Sequence, residues 1–591
     1  MDASHLRLLR ATVAAVLLSL QFGGGAAIHA SAGSAWPERV EGPAGTATLS
    51  VRSQPVRATK GMVVSANARA SEVGADVLRR GGNAVDAAIA TAFALAVTHP
   101  MAGNIGGGGF LVFRPADGEP AAYDFRETAP AGASPTMFMR DGVYDPNIHH
   151  HSHLAVGVPG TVAGLFLAWE KHGSLPWKQL VEPAIRLARD GFPVTIDLAR
   201  SLESVLGRMT PYPASVAQFS KAGVAYSPGD LLRQPDLAGT LDRIATEGPK
   251  GFYEGETARL IEAEMKARGG LITAADLRAY RARSVPPLRG EYRGHQILSM
   301  PPISSGGVAL IEMLNILEGD DLARNGYGSA QNVHLIAEAM RRVFADRAAH
   351  LGDPAFNSQM PIDRLISKPY AAELRKTIDP RRASPSTPTS FTWPPTSTET
   401  THFSVVDSRR NAVAMTYTLE YGYGSGIVVP GAGFLLNNEM GDFNAGPGLT
   451  TADGLIGTAP NLAQPGKRML SSMTPTIVAK DGRLFMVTGS PGGRTIINTV
   501  LLTILNVVDF GMNAQEAVDA GRFHHEWLPN RLSYERYGLS SDTLTALRAM
   551  GHELDEGTHQ GVAEVIVYDA VRDVVEGGLD RRQPDGSVGV E

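Results

Sequence analysis

The chain has 591 residues, 43% of them hydrophobic and 19% charged, which is typical of a globular protein with one very large domain or several ordinary ones. Its formal net charge of −6 is mild for this length and argues against a dedicated nucleic-acid surface. The sequence contains no cysteine, which excludes thiol catalysis, disulfides and thiolate metal sites.

The N-terminus has the build of a secretory signal peptide. Basic residues precede the apolar run from Ala11 to Phe22, and Ala30-Ser31-Ala32 offers small residues for cleavage. An uncleaved membrane anchor is the alternative, but the run is short for a spanning helix. We therefore expect residues 1–32 to be removed and the mature protein to be exported, either to the periplasm or to the medium.

Two helices and a glycine-rich segment are predicted next. Gly81-Gly82-Asn83 separates two helical patterns between Ala66 and Val97, and the second is apolar enough to be buried against a sheet. The glycines of Gly103 to Gly109 then precede a strand at Phe110 to Phe113. A nucleotide loop needs the order strand, glycines, helix, so we expect these glycines to allow close backbone approach instead.

Two polar clusters follow. Arg126 lies in an apolar, strand-like context, where a charge requires either an internal ion pair with Asp124 or Glu127 or a ligand. The segment from His149 to His153 suggests a metal site. Adjacent histidines of one regular element cannot all face one ion, and no nearby carboxylate completes a shell. We interpret this segment as a solvated loop.

The remaining pattern predicts helices first and then strands. Helices are expected at residues 162–170, 180–188, 257–267, 306–317, 332–351 and 496–508, and strands at 433–438, 476–479 and 484–487. The last two strands should form a hairpin that turns at Asp481-Gly482.

A second hairpin is predicted around Thr400. A proline-rich segment precedes this residue, and alternating apolar and polar residues flank the turn signals between Asp407 and Asn411. If the turn centres on Arg409, Asp407 opposes Asn411 and Thr400 lies opposite Thr418. The period of two also places Thr416, Thr418 and Glu420 on one face of the second strand.

Thr400 is either an ordinary strand residue or a nucleophile exposed by cleavage after Glu399. A free α-amino group has an ordinary pKa of about 7.7–8.0, so an N-terminal threonine carries its own base. The residues alone leave both interpretations open, including an ordinary strand with polar side chains facing solvent.

The segment from Thr400 to Asp407 resembles the processing-site motif of the γ-glutamyltranspeptidases, a family of N-terminal nucleophile hydrolases. Further segments match that family in the same order along the chain. These segments are Gly81–Asp86, Asp124–Glu127, Leu436–Phe443, Leu470–Thr476, Gly489–Gly493 and Arg522–His525.

The resemblance implies roles for the residues at matching positions. Thr400 would be both the autoprocessing residue and the nucleophile, and Thr418 would support its hydroxyl. Gly492 and Gly493 would offer backbone N–H groups to the tetrahedral oxyanion. The remaining positions would bind the γ-glutamyl group: Arg126 with Ser471 and Ser472 at its α-carboxylate on one side, and Glu420, Glu439 and Asp442 at its α-ammonium on the other.

The resemblance also implies the fold and the reaction. We expect an α+β fold, a four-layer αββα sandwich, in which cleavage between Glu399 and Thr400 yields a large chain, 33–399, and a small chain, 400–591. The two chains would form a heterodimer with no membrane span after signal removal. The enzyme would attack γ-glutamyl amides such as glutathione and pass the acyl group to water, an amino acid or a peptide, without a metal or organic cofactor.

Two alternatives and one departure from the family pattern stay open. A related acylase would act on glutaryl-β-lactams or poly-γ-glutamate, although a glutaryl group has no amine to balance three carboxylates. An exported binding protein would keep the pocket and remain unprocessed. The segment Asn444 to Gly457 corresponds in length to the family's lid loop, but Asp453 stands where many lids place an aromatic residue.

Overall fold

A computed structural model describes residues 53–386, 400–449 and 457–591. The predicted signal peptide, Glu399 and Asp453 lie outside these residues. Within the described part, no helix is both long and apolar enough to cross a membrane.

The described strands are, in chain order, β1 Val56–Ala58, β2 Met62–Ser65, β3 Gly108–Arg114, β4 Ala121–Asp124, β5 Met139–Arg140, β6 Val143–Tyr144, β7 Phe192–Pro193, β8 Leu231–Leu232, β9 Arg283–Val285, β10 Leu288–Tyr292, β11 His295–Ser299, β12 Thr401–Val406, β13 Ala412–Thr418, β14 Thr476–Lys480, β15 Arg483–Thr488, β16 Phe523–His524, β17 Leu532–Glu535, β18 Leu554–Gly557, β19 Val565–Asp569, β20 Val574–Gly578 and β21 Ser587–Val590.

The described α-helices are α1 Ala68–Arg79, α2 Ala84–Thr98, α3 Pro146–His151, α4 Thr161–His172, α5 Trp177–Asp190, α6 Ile196–Met209, α7 Pro213–Phe219, α8 Pro235–Glu247, α9 Lys250–Tyr253, α10 Gly255–Arg268, α11 Ala274–Ala279, α12 Gly306–Leu317, α13 Leu322–Asn325, α14 Ala330–His350, α15 Ile362–Leu365, α16 Lys368–Lys376, α17 Thr495–Val508, α18 Ala514–Asp519 and α19 Ser541–Ala549.

Two antiparallel seven-stranded sheets form the centre of the molecule. The first sheet has the order β1-β20-β19-β15-β14-β11-β10 and the second β21-β2-β12-β13-β3-β4-β9. The sheets face each other through β12, β13, β15 and β19, while α1 and α2 cover the second sheet and α12 and α18 the first. This order of layers confirms the predicted αββα sandwich.

The hairpin β12–β13 lies in the middle of the second sheet, and its alternation sorts its side chains between the layers. Phe403 and Val405 pack in the core shared with α2. His402 and Ser404, which alternate with them along β12, face the first sheet. There the Ser404 hydroxyl donates to the Glu564 carbonyl at 2.8 Å. Thr400 continues this inward-facing row, so the sheet delivers it to the space between the two sheets.

Most predicted elements are confirmed, including α2, whose residues are all buried, and the hairpin β14–β15. The glycine-rich segment allows close approach, because a Cβ on Gly107 would meet the Thr418 carbonyl oxygen at 2.1 Å. The predicted strand at 433–438 is wrong. The backbone of Leu436 bonds within its own loop, to Ile427 and Ser425, before a 3-10 helix at Glu439–Asp442.

Candidate active site

A pocket with an empty volume of about 420 Å³ opens where β12 begins and β13 ends. It brings together most of the site residues predicted from the sequence. Its lining consists of Arg126, Arg347, Thr400, Thr418, Glu420, Glu439, Asp442, Ser471, Ser472, Met473, Gly493, Arg494 and Ile496.

The register of the β12–β13 hairpin places Thr400 beside Thr418, as the sequence predicts. Thr401 pairs with Tyr417, and the Arg410 N–H donates to the Asp407 carbonyl at 2.9 Å to close the turn. The Thr400 hydroxyl donates to Thr418 Oγ1 at 3.3 Å. Thr418 Oγ1 also accepts a hydrogen bond from the Glu420 N–H at 2.9 Å. This hydroxyl therefore links the candidate nucleophile to the backbone of Glu420, another residue of the pocket lining.

His402 supports the hairpin from within the space between the sheets. Its Nδ1 lies 2.8 Å from Thr416 Oγ1 and its Nε2 lies 3.1 Å from Ser404 Oγ. Burial lowers the pKa of His402 to about 3, so the ring is neutral near pH 7. A neutral ring that is hydrogen-bonded at both nitrogens holds the inward-facing side chains of β12 in place, and Thr400 belongs to the same row.

Arg126 lies just after β4 and is ion-paired with Glu439 and Asp442. Glu127 lies 3.6 Å from the same guanidinium, and Asp124 instead pairs with Arg468. The prediction that Arg126 and the carboxylates occupy opposite sides of the pocket is therefore wrong for Glu439 and Asp442. A buried guanidinium needs counter-charges, and these carboxylates supply them directly.

Carboxyl groups outnumber cations in this part of the pocket. Burial raises the pKa of Glu420 well above its ordinary value, and Asp442 adds to the effect. Burial likewise raises the pKa of Glu439, although Arg126 opposes it. Burial raises the pKa of Glu127 to about 7, again against Arg126. A ligand cation here would relieve the repulsion among these carboxylates.

The histidine segment does not form a solvated loop, and that interpretation is wrong. His149 and His150 are buried in α3, and the His149 Nε2–H donates to the Met440 carbonyl at 3.2 Å. His150 Nδ1 lies 3.2 Å from Glu420 Oε1, and its ring stacks on Tyr421 with an interplanar angle of 3°. These contacts draw α3 against the 3-10 helix that carries Glu439 and Asp442.

Ser471 and Ser472 are held by a side chain that the sequence did not single out. Arg347 Nε donates to Ser305 Oγ at 2.7 Å, and Arg347 Nη2 donates to Ser472 Oγ at 2.9 Å. The Ser305 hydroxyl in turn donates to the Ser471 carbonyl at 2.6 Å. Helix α14 therefore fixes the loop that carries both serines.

The two glycines proposed for the oxyanion lie at the start of α17. The carbonyls of Gly492 and Gly493 accept the N–H groups of Thr495 and Ile496 at 3.0 and 3.2 Å. Gly492 has φ 131° and Gly493 has φ 56°, values that favour glycine. Gly493 lines the pocket, whereas Gly492 lies outside the lining.

The sequence prediction missed four lining residues: Arg347, Met473, Arg494 and Ile496. Signals existed for both arginines. Arg494 directly follows the quoted Gly489–Gly493 motif and precedes an apolar helix, and Arg347 lies on the buried side of α14. A charge in either context requires a partner or a ligand.

A second polar cluster lies away from this pocket. His334, Glu338 and His552 place ligand-type atoms within 4.8 Å of one another. Arg341 Nε and Arg342 Nη1 approach the two Glu338 oxygens at 3.1 and 2.7 Å. His334 Nδ1 lies 2.8 Å from His552 Nε2, a hydrogen-bond distance. Because arginines occupy the carboxylate, these contacts favour a structural role over metal binding.

The αββα sandwich, with a buried hydroxyl residue at the head of a central strand, defines the class of N-terminal nucleophile hydrolases. The family model for gamma-glutamyltranspeptidase matches residues 70–590. The chain belongs to the γ-glutamyltranspeptidase family.

Similar proteins agree with this assignment. The chain is 49% identical over 505 residues to the glutathione hydrolase proenzyme of Escherichia coli (strain K12), an alignment that covers 85% of this chain and 87% of that protein. The structure of a cephalosporin acylase from Bacillus halodurans matches with a TM-score of 0.81 at 27% identity, over 94% of this chain and 99% of that one. Helicobacter pylori γ-glutamyltranspeptidase matches with a TM-score of 0.55 at 47% identity, over 56% and 95%.

Proposed function

We propose that this protein is a γ-glutamyltransferase and glutathione hydrolase with Thr400 as its nucleophile. The observation that carries the proposal is the pairing of the Thr400 and Thr418 hydroxyls, 3.3 Å apart, in a pocket lined by Arg126 and three carboxyl residues. The E. coli relative bears the name glutathione hydrolase proenzyme, which supports both the activity and a processed precursor.

Thr400 first cleaves the chain that contains it. As its hydroxyl attacks the carbonyl carbon of Glu399, the hydroxyl proton passes to the Thr400 nitrogen, the peptide C–N bond breaks, and an ester joins Glu399 to Thr400 Oγ1. Water hydrolyses this ester, which gives the large chain a free carboxyl group at Glu399 and leaves Thr400 with a free α-amine. That amine has an ordinary pKa of about 7.7–8.0 and serves as the base in the mature enzyme.

The mature enzyme then transfers a γ-glutamyl group. The α-amine of Thr400 takes the hydroxyl proton as Oγ1 attacks the γ-carbonyl of the donor, and the N–H groups of Gly492 and Gly493 stabilise the oxyanion. The C–N bond of the donor breaks, its amine leaves with the proton, and a γ-glutamyl ester remains on Thr400. Water or an acceptor amine attacks this ester and restores the free hydroxyl.

The charged end of the pocket suits a zwitterionic amino acid. The donor carboxylate would form an ion pair with the Arg126 guanidinium and would accept hydrogen bonds from Ser471 and Ser472. The donor ammonium would pair with the carboxylates of Glu439 and Asp442, which the ligand releases from Arg126, and with Glu420. Exchanging the ion pairs of Arg126 with Glu439 and Asp442 for contacts with the two charged groups of the donor keeps every buried charge compensated.

Denaturing electrophoresis and a donor assay test this proposal. Wild-type protein should give two bands, and the smaller should begin with Thr400-Thr401-His402 in N-terminal sequencing. Thr400→Ala should give one band and no turnover of γ-glutamyl-p-nitroanilide. A single wild-type band would contradict autoprocessing and favour the unprocessed binding protein, and residual activity in Thr400→Ala would exclude Thr400 as the nucleophile.

A related acylase is the second candidate, because the similar Bacillus halodurans structure is titled a cephalosporin acylase. The carboxyl groups around Arg126 favour a donor that carries an amine. We therefore expect γ-glutamyl-p-nitroanilide to be turned over far faster than glutaryl-p-nitroanilide, which lacks that amine. The opposite preference would make the protein an acylase.

A further inference from the structure

A second pocket opens between helices α4 and α9 and the segment at the end of α11. Its empty volume of about 800 Å³, which includes the open mouth, is nearly twice that of the active-site pocket, and the two pockets share no lining residue. Ligand pockets commonly enclose about 300–1,000 Å³. We call it the tyrosine pocket, because Tyr253 and Tyr280 are the buried members of its lining and form its floor.

The floor of the tyrosine pocket is fixed in place and apolar. The rings of Tyr253 and Tyr280 stack in parallel, with their centroids 5.7 Å apart and an interplanar angle of 5°. Each hydroxyl donates to a backbone carbonyl, at 2.9 and 2.8 Å. Since these polar atoms are already engaged, the rings offer mainly carbon to the pocket, and Phe166 and Leu167 add further apolar surface. A flat, apolar body suits such a floor.

The rim of the tyrosine pocket carries more positive than negative charge. Its charged residues are all exposed: Lys250, Arg278, Arg281, Glu170 and Glu254. In the described part of the chain, neither Lys250 nor Arg278 is ion-paired with a carboxylate. Arg281 donates to two neutral backbone carbonyls, both at 2.7 Å. Three cations and two carboxylates leave the rim with a net charge of +1. An anionic group at the rim would supply the missing counter-charge.

We propose that the tyrosine pocket binds a flat organic anion, an aromatic ring system that carries one carboxylate or sulfonate. The ring system lies against the apolar floor, and the anionic group lies at the rim with Lys250 and Arg278. A single negative charge matches the net charge of the rim, and no internal ion pair of these two cations has to break. This site shares no residue with the γ-glutamyl contacts, so the inference goes beyond the proposed function.

Three probes that share one ring system test the sign of the ligand charge. 2-Naphthoate, 2-naphthamide and 2-naphthylmethylammonium carry a negative charge, no charge and a positive charge on the same naphthalene body. In isothermal titration calorimetry of the wild-type protein at low salt, we expect the anion to bind about fivefold more tightly than the amide, and the cation to bind least tightly. Because the rim is exposed, about 0.5 M sodium chloride should reduce the preference for the anion.

Variants of the lining locate the bound anion. The double variant Lys250→Gln/Arg278→Gln removes two exposed cations and should bring the affinity for 2-naphthoate down to that for the amide. Glu170→Gln should strengthen 2-naphthoate binding, because it leaves the rim more positive. Leu167→Ala should weaken all three probes alike, since it removes only apolar surface. Arg536→Gln removes a surface guanidinium outside the lining and is the matched control, with unchanged affinities.

The outcomes separate the inference from the proposed function. No measurable binding, equal affinities for the three probes or tighter binding of the cation overturns the inference. Preference for the anion that survives in Lys250→Gln/Arg278→Gln also overturns it. Anion binding that is lost in Ser472→Ala, or that competes with γ-glutamyl-p-nitroanilide, places the anion in the active-site pocket and overturns it as well. A wild-type protein that releases no p-nitroaniline contradicts the proposed function, whereas the binding measurements still decide the inference.

Discussion

At the residue scale, Thr418 joins the candidate nucleophile to the charged end of the pocket. Its Oγ1 accepts from the Thr400 hydroxyl and from the Glu420 N–H. Thr418→Val keeps the shape but leaves both donors without this acceptor, at a cost of ~1–3 kcal/mol. We expect kcat for γ-glutamyl-p-nitroanilide to fall roughly 5- to 150-fold and the two-band pattern to develop more slowly. Thr418→Ser, which keeps the hydroxyl, should retain most of both activities; equal losses in the two variants would contradict this role.

Glu564 is a buried carboxyl outside the proposed chemistry, and it makes stability depend on pH. Neither of its carboxylate oxygens has a hydrogen-bond partner among the described residues. Burial raises its pKa well above the ordinary value, with Asp580 adding to the shift and Arg522 opposing it. The folded state thus holds this proton more tightly than the unfolded state does. Its contribution to stability is complete below the ordinary pKa and is lost as the pH rises through the raised one.

Glu564→Gln should remove that dependence. At pH 8 we expect the free energy of unfolding to increase by ~1–3 kcal/mol, the cost of an unsatisfied buried group, with little change at pH 4. Urea denaturation at the two pH values measures the difference. Glu556→Gln, at a side chain that is 51% exposed, is the matched control and should change neither value appreciably. A destabilised Glu564→Gln protein at pH 8 would contradict the sign of the shift.

At the scale of elements, the 3-10 helix Glu439–Asp442 and helix α3 meet at a glycine. A Cβ on Gly441 would meet His150 Nδ1 at 2.4 Å and the Glu420 carboxylate at 2.6 Å. Gly441→Ala must therefore displace the His150 ring and the Glu420 carboxylate, which lie between α3 and the turn that carries two of the site's carboxylates. We expect KM for γ-glutamyl-p-nitroanilide to rise about tenfold, with a smaller effect on kcat, because Thr400 and Thr418 lie on the hairpin.

Variants of His150 distinguish this contact from general destabilisation. Asn places a polar atom near the position of Nδ1, so His150→Asn should keep KM close to wild type, whereas His150→Ala should raise it as Gly441→Ala does. His153→Ala, at a histidine that pairs with Glu264 at 2.9 Å, is the control for losing a buried ring. A parallel rise of KM in His153→Ala would attribute the effect to folding rather than to Glu420.

Local sequence was sufficient for the hairpin at Thr400 but not for the surroundings of the pocket. The turn from Asp407 to Asn411 sets the register through short-range backbone bonds, so Thr418 could be placed from the sequence. The burial of His150, the ion pairs of Arg126 and the arrival of Arg347 from α14 depend on contacts between distant segments. The strand at 433–438 failed for a different, local reason, because its backbone bonds to Ser425, Ile427 and Val429 a few residues earlier in the same loop.

At the scale of the whole molecule, the predicted cleavage would divide both sheets between two chains. The described strands before residue 387 are interleaved with those after residue 399. In the first sheet β1 pairs with β20 and β11 with β14; in the second, β2 pairs with β21 and β12, and β3 with β13. Each pairing buries backbone groups that neither chain could satisfy by itself.

The two chains should therefore remain one particle after cleavage and be unable to fold separately. Under native conditions we expect wild-type protein to elute as a single species that contains both chains, which separate only in denaturant. Residues 400–591 expressed alone should lack β2 between β21 and β12, leaving two apolar strand edges exposed, and should aggregate. Co-expression of the two chains from separate reading frames, with Thr400 at the start of the second, should recover part of the activity. A folded, monomeric small chain would contradict this prediction, because the pairing of β2 with β12 would then be dispensable for the sheet that holds Thr400.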